Sequence, residues 1–235
     1  MAEEPQEDNN QTPEADSAAT PPPGGKMRLV VLLAVAAVLG VASGGLAVYV
    51  NNASPDNEET ASACPFSAER HAALQAAAQG EVAAFAVLDE PRPTPLLAFN
   101  DDAGNDRTMA DWEGQTVLFN LWATWCAPCR EEMPALDRLQ TAEGDDAFEV
   151  VAVSIDTNAS ADPQGFLEEI EVESLAFFQD DTADLFQTLR AEGLAFGMPT
   201  TLLIDDTGCL LGFLAGPAHW DSPDAVALMD AAHVH

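Results

Sequence analysis

Residues 122–130 read WATWCAPCR, and the two cysteines in that stretch stand three apart. The run leading into it, TVLFNLW at 116–122, is short, apolar and rich in β-branched and aromatic residues, which is the pattern of a buried strand. The run leading out, REEMPALDRLQ at 130–140, has helical apolar spacing, with a kink expected at Pro134. The CxxC pair thus falls on a strand-to-helix turn. At such a turn the unpaired N–H groups and the positive end of the helix dipole favour an anion. Cys126 would have its thiolate favoured there, and the thiolate is the attacking species in thiol–disulfide exchange. Cys129, one helical turn on, is placed to resolve a mixed disulfide. Ala127-Pro128 suits a first helical turn, where proline is welcome.

Two other uses of the pair fit less well. A structural zinc site needs four ligands, typically a second CxxC or a histidine pair. Cys64 and Cys209 are isolated, and His71, His219, His233 and His235 lack ligand spacing, so no metal site is expected. A purely structural Cys126–Cys129 bridge closes too short a loop to remove much unfolded-chain entropy.

Working outward, EVVAVSI at 149–155 is a second buried strand, and residues 163–170 and 182–190 carry helical spacing. TTLLID at 200–205 and CLLGFLA at 209–215, joined through Asp206-Thr207-Gly208, read as a hairpin, and residues 223–232 as a closing helix. Upstream, FSAERHAALQAAAQ at 66–79 is an Ala-rich helix with Ser67 as N-cap and Gly80 as its end. Residues 96–99 and 107–109 flank the turn-rich NDDAGND and suggest a further hairpin. The order β-α-β-α, then hairpin and helix, makes an α/β domain with a mixed sheet. Trp122, Phe177, Phe178 and Phe186 are expected in its core. Glu131 and Glu132 read as solvated acids of the first helical turn. His219-Trp220 falls in a loop, where a histidine is solvated or lines a partner surface. Met198-Pro199, just before a strand, is either a cis bond specific to the fold or a trans proline opening an edge strand.

The 235 residues hold 40 Asp and Glu against 8 Lys and Arg, a net charge of −32. That surface repels phosphate backbones, so nucleic acid is excluded as a partner. Residues 1–28 form an acidic, proline-rich tail that cannot build a core. Residues 29–50, LVVLLAVAAVLGVASGGLAVYV, carry no charge and are long enough to cross a bilayer as a helix. Lys26 and Arg28 precede the run and no basic residue follows until Arg70. The positive-inside rule therefore puts the tail in the cytoplasm and everything after the run outside it. The run is long for a signal peptide and its leader is acidic, so an uncleaved single-pass anchor is expected in a bacterial inner membrane. Residues 51–63 are a polar linker, and 64–235 the folded, periplasmic domain. All four cysteines lie on this oxidising side, where disulfides persist.

WATWCAPCREEMP together with GMPTT at 197–201 resembles the thioredoxin superfamily. More narrowly, the chain is similar to the membrane-anchored thiol:disulfide interchange proteins of TlpA/ResA type over roughly residues 90–232. The resemblance implies a thioredoxin-like fold: a central mixed β-sheet flanked by helices, with an extra N-terminal helix. It implies Cys126 as nucleophile, Cys129 as resolving cysteine and Pro199 as a cis-proline beside the dithiol. Trp125, Pro128 and Met198 would meet the substrate. The TlpA branch carries a structural disulfide that maps onto Cys64 and Cys209. Two lone cysteines far apart in sequence are also natural partners for a staple in an oxidising compartment. The chain departs from thioredoxin at Asn120, which stands where thioredoxin buries an aspartate. The Cys129 proton must go elsewhere, to water or to a carboxylate such as Glu131 or Glu132.

The implied activity is that of a reductase without a cofactor. It would draw electrons from a membrane thiol transporter of DsbD/CcdA type. Its clients would be a copper chaperone, the copper-site subunit of cytochrome oxidase, or apocytochrome c. An oxidase or isomerase is the alternative within the same chemistry, and a potential near about −120 mV would mark it. A non-enzymatic assembly factor holding Cu(I) on Cys126 and Cys129, with Met133 or Met198, is a third reading.

Overall fold

The computed structural model describes residues 64–234. The expected tail, anchor and linker at 1–28, 29–50 and 51–63 lie outside the described residues. Among those described, no helix is long and apolar enough to cross a membrane.

The sheet grows from β4, Thr116–Trp122, whose seven side chains are all buried. It pairs in parallel with β5, Phe148–Ser154, and antiparallel with β7, Thr200–Ile204. A tight turn at Asp205–Gly208 sends the chain back as β8, Cys209–Ala215. Gly208 has φ +79°, the left-handed geometry this turn requires. Asp205 Oδ1 accepts from the amides of Thr207 and Cys209, which locks the turn. On the other side, β6 (Phe178–Gln179) and the hairpin of β2 (Ala98–Asp101) and β3 (Asp106–Thr108) extend the sheet. With β1, Ala86–Pro93, beside β8, the order is β1-β8-β7-β4-β5-β6-β2-β3. The sheet is mixed, as the element order implies.

Strand β1 has no counterpart in the sequence reading. Its residues, AVLDEPRP, contain two prolines and look like a loop. They are tolerated because β1 is an edge strand, and its register with β8 shifts between Val87 and Arg92.

Among the described residues five α-helices flank the sheet: α1 (Ala68–Ala77), α2 (Ala127–Glu143), α3 (Pro163–Glu169), α4 (Asp184–Ala191) and α5 (Pro223–Ala232). Helix α2 runs unbroken through Pro134. Ser67 caps α1 by accepting from the Arg70 amide at 3.2 Å. Trp122, Phe119 and Trp220 are fully buried. Phe99 meets the rings of Trp112, Phe119 and Phe178 at 5.4–5.8 Å. Of the expected core aromatics, Phe178 is buried while Phe177 and Phe186 pack partly buried against it.

Helix α1 is fixed to the β7–β8 turn twice. Cys64 is disulfide-bonded to Cys209 across 145 residues. Arg70, buried, pairs with buried Asp205 at 3.1 Å and donates to the Pro65 carbonyl. A buried pair of this kind contributes little net stability, but removing one partner strands the other charge.

Candidate active site

Cys126 is the N-cap of α2, and its Sγ accepts from the Cys129 amide at 3.3 Å. The two are disulfide-bonded, with Cα atoms 5.3 Å apart. Cys126 is 6 % exposed and Cys129 0 %, so of the two only Cys126 keeps any exposed surface. That asymmetry suits an attacking and a resolving thiol. Trp125, next to it, is 63 % exposed. Pro128 is half-buried in the first turn of α2.

The Met198-Pro199 bond is cis. Pro199 is buried, Met198 half-buried, and Phe196 just before them exposed. Thr200 pairs with Leu121 near the end of β4, which puts Pro199 at the end of the sheet from which the chain enters the Cys126 loop.

That loop is held from β5. Asp156, 9 % exposed, accepts from the Thr124 amide at 2.9 Å, the Thr124 hydroxyl at 2.6 Å and the Ser154 hydroxyl at 2.9 Å. Thr124 lies two residues before Cys126, so the carboxylate fixes the approach to the dithiol. The sequence reading singled out neither residue, because an Asp at a strand end looks like turn chemistry.

Glu132 overturns the expectation of a solvated acid. It lies in the second turn of α2 rather than the first, and it is 3 % exposed. Glu131 beside it is exposed, as expected. Glu132 stands three residues after Cys129, on the same face of the helix. Its Oε1 accepts from Asn120 Nδ2 at 2.8 Å. Its Oε2 accepts from the Ala218 amide at 3.2 Å and from Trp220 Nε1 at 3.3 Å. Asn120 Nδ2 also donates to Thr201 Oγ1 at 2.9 Å. Burial pushes the Glu132 carboxyl up to about 7, while its hydrogen bonds from Asn120, Ala218 and Trp220 pull the other way. A buried acid titrating near neutrality is suited to taking and returning a proton.

Trp220 is likewise a correction: it is 0 % exposed and holds Glu132, rather than lining a partner surface. Its segment, 216–222, crosses back over α2. Gly216 (φ +124°) donates its amide to the Pro199 carbonyl at 2.9 Å, and Asp221 pairs with Arg138 of α2 at 2.7 Å. The Arg138 guanidinium holds the Asp221 carboxyl below the usual range. His219 is exposed. A pocket of about 160 Å³, lined by Pro128, Glu131, Pro217, Ala218 and His219, leads from the surface to Glu132. Among the described residues, no three His, Cys, Asp or Glu side chains group as a metal site.

The Redoxin family model matches residues 80–229. The chain is 31 % identical over 126 residues to Thioredoxin-like protein YneN of Bacillus subtilis, a span of 52 % of this chain and 69 % of that one. It is 32 % identical over 124 residues to Thiol-disulfide oxidoreductase ResA of Geobacillus thermodenitrificans, covering 52 % and 67 %. Among solved structures it resembles a Chlorobium tepidum protein described as a thiol:disulfide interchange protein DsbE. That match has TM-score 0.53 and 31 % identity, over 62 % of this chain and 98 % of that one. The chain belongs to the Redoxin family, as a thiol:disulfide oxidoreductase of ResA/TlpA type in the thioredoxin superfamily.

Proposed function

We propose that the protein is a membrane-anchored, periplasmic reductase that keeps client dithiols reduced. The observation that carries the catalytic part is a Cys126 at a helix N-terminus that keeps some exposed surface, with Cys129 and the carboxyl of Glu132 buried along the same helix. Cys126 thiolate attacks a client disulfide, forms the mixed disulfide and releases one client thiolate. Cys129 then attacks the Cys126 sulfur, closes the Cys126–Cys129 disulfide and releases the second client thiolate. Two electrons pass from the dithiol to the client. Cys129 is buried in the disulfide form, and Glu132, the buried carboxyl one turn further along the same helix face, is the group assigned to take its proton as the thiolate forms. The cis-Pro199 turn, with Met198, Trp125 and Pro128, presents backbone and apolar surface to the client strand. The Cys64–Cys209 bond serves structure and takes no part in exchange.

The remaining assignments rest on the sequence and on kinship. The uncharged run at 29–50 behind Lys26 and Arg28 supports a single-pass anchor with residues 1–28 cytoplasmic, 51–63 as linker and 64–235 periplasmic. A membrane thiol transporter of DsbD/CcdA type is the proposed electron donor. Clients are the dithiols of a copper chaperone, of a cytochrome oxidase copper site or of apocytochrome c, groups that bind metal or haem only when reduced.

The reduction potential of Cys126–Cys129, measured in thiol redox buffers with acid-trapped thiol counts, tests the direction. A two-electron transition well below about −220 mV supports the reductase; one near about −120 mV replaces it with an oxidase.

A further inference from the structure

Beside the Glu132 pocket, and sharing Glu131 with it, α2 carries a second hollow next to the dithiol, of about 300 Å³, lined by Ala127, Arg130, Glu131, Phe166 and Ile170. Ala127 stands between the two cysteines. The Arg130 amide donates to the Cys126 carbonyl at 3.1 Å, so Arg130 sits one turn along from the attacking residue. We propose that this hollow is a carboxylate receptor, in which Arg130 reads an acidic side chain close to the client's cysteine. The proposal rests on the client exchange described above.

Charge on this chain is scarce on one side only. Of the six arginines among the described residues, four are paired with carboxylates: Arg70 with Asp205, Arg92 with Glu192, Arg107 with Asp101 and Asp111, and Arg138 with Asp221. The remaining two, Arg130 and Arg190, have no such partner among the described residues, on a chain with 40 acidic side chains; of these two only Arg130 stands beside the dithiol. Its guanidinium lies instead on the face of Phe166, 4.7 Å from the ring centroid. Phe166 in turn rests against Trp122, fully buried, at 5.9 Å. The contact holds the guanidinium over the ring while its N–H groups make no hydrogen bond among the described residues, and a guanidinium can bind a carboxylate through two parallel hydrogen bonds. A stacked guanidinium also loses little freedom on binding.

Position sets the register. An extended client rises about 3.3 Å per residue, and one helical turn separates Arg130 from Cys126. For a client strand running along α2, the side chain that meets Arg130 is about two residues from the client cysteine. The chain's net charge of −32 repels acids at long range, so its field favours basic clients. A preference for an acidic residue at this one position runs against that field, which makes it diagnostic.

The test uses the full-length protein in detergent, reduced, with three peptides. Each carries its cysteine as a neutral pyridyl mixed disulfide, and they differ only in having Glu, Gln or Lys two residues from that cysteine. Stopped-flow release of thiopyridone gives the second-order rate constants. The Glu peptide is expected to react roughly threefold or more faster than the Gln peptide at low salt, with the ratio shrinking as salt screens the contact. In Arg130→Gln the Glu/Gln ratio falls to one or below, and Phe166→Leu lowers it by loosening the stack. Arg190→Gln, which removes an equal charge on α4, keeps the ratio. An order Lys > Gln > Glu in the unaltered protein, or a Glu preference that survives Arg130→Gln, overturns the inference and leaves the exchange reading standing. Failure of all three peptides to react overturns the exchange reading itself.

Discussion

Trp220 donates its indole N–H to Glu132 across 88 positions of sequence, at 3.3 Å, with both side chains buried. The bond joins the segment that follows the last strand to the helix that carries the dithiol. It also makes the proton state of the active site depend on a part of the chain remote from the CxxC.

Replacing the carboxylate should expose its role in resolution. Glu132→Gln keeps shape and burial but cannot take a proton. The resolution step should slow on the order of a hundredfold, and the pH dependence near 7 should vanish. Rapid-mixing kinetics with a trapped mixed disulfide measures both; an unaltered profile would remove Glu132 from the mechanism.

The same group has a stability signature. In the folded protein Glu132 titrates near 7, against an ordinary value of 4.5. Between those values the folded state keeps a proton that the unfolded chain has released, so stability falls as pH rises through this window and stays low above it. The full effect is about 3 kcal/mol. Urea unfolding of the oxidised protein and of Glu132→Gln at pH 5 and pH 8 should show their difference changing by roughly that amount. A constant difference contradicts the burial argument.

Trp220→Phe removes one of the donors that stabilise the charged carboxylate while keeping an aromatic ring in place. The apparent Glu132 pKa should move upward, by roughly half a unit to one unit, and the kinetic pH profile with it. A downward shift would mean that lost packing, by admitting water, outweighs the lost bond.

Asp156→Ala orphans the Thr124 amide, the Thr124 hydroxyl and the Ser154 hydroxyl together. A loss of about 2–4 kcal/mol in unfolding free energy is expected. Amide hydrogen exchange should rise at residues 124–126 more than in β5. Uniform loosening of the whole domain would argue against a local hold on the Cys126 loop.

Converting Cys64 and Cys209 to serine opens a loop of 145 residues and should cost about 2–5 kcal/mol of stability. Turnover at Cys126–Cys129, assayed well below the new melting temperature, should persist. Loss of turnover in a folded double variant would assign the pair a redox role.

The strands around the dithiol were legible because they carry unbroken apolar runs: TVLFNLW and TTLLI are each buried along their whole length. The turn at Gly208 and the cap at Ser67 were legible because their chemistry is local. Glu132 was not. Its burial comes from residues 216–222 folding back over α2, and no window around position 132 contains that information. The signals present were its spacing of three from Cys129, an Asn in the middle of a buried strand at 120, and a Trp in an apparent loop at 220. Each is weak alone, and only the tertiary structure joins them. Strand β1 was missed for the converse reason: its local chemistry is that of a loop, and only its pairing with β8 makes it a strand.

The Cys64–Cys209 bond also decides how the domain responds to pulling. Tension arriving from residues 1–63 reaches Cys64 and passes through the sulfurs to β8, bypassing α1. Strand β8 is hydrogen-bonded to β1 on one side and β7 on the other. The load therefore falls on two ladders rather than on the end of a single helix. The bond makes the point where the described domain begins a mechanically firm one, two strands away from β4 and the dithiol loop that follows it.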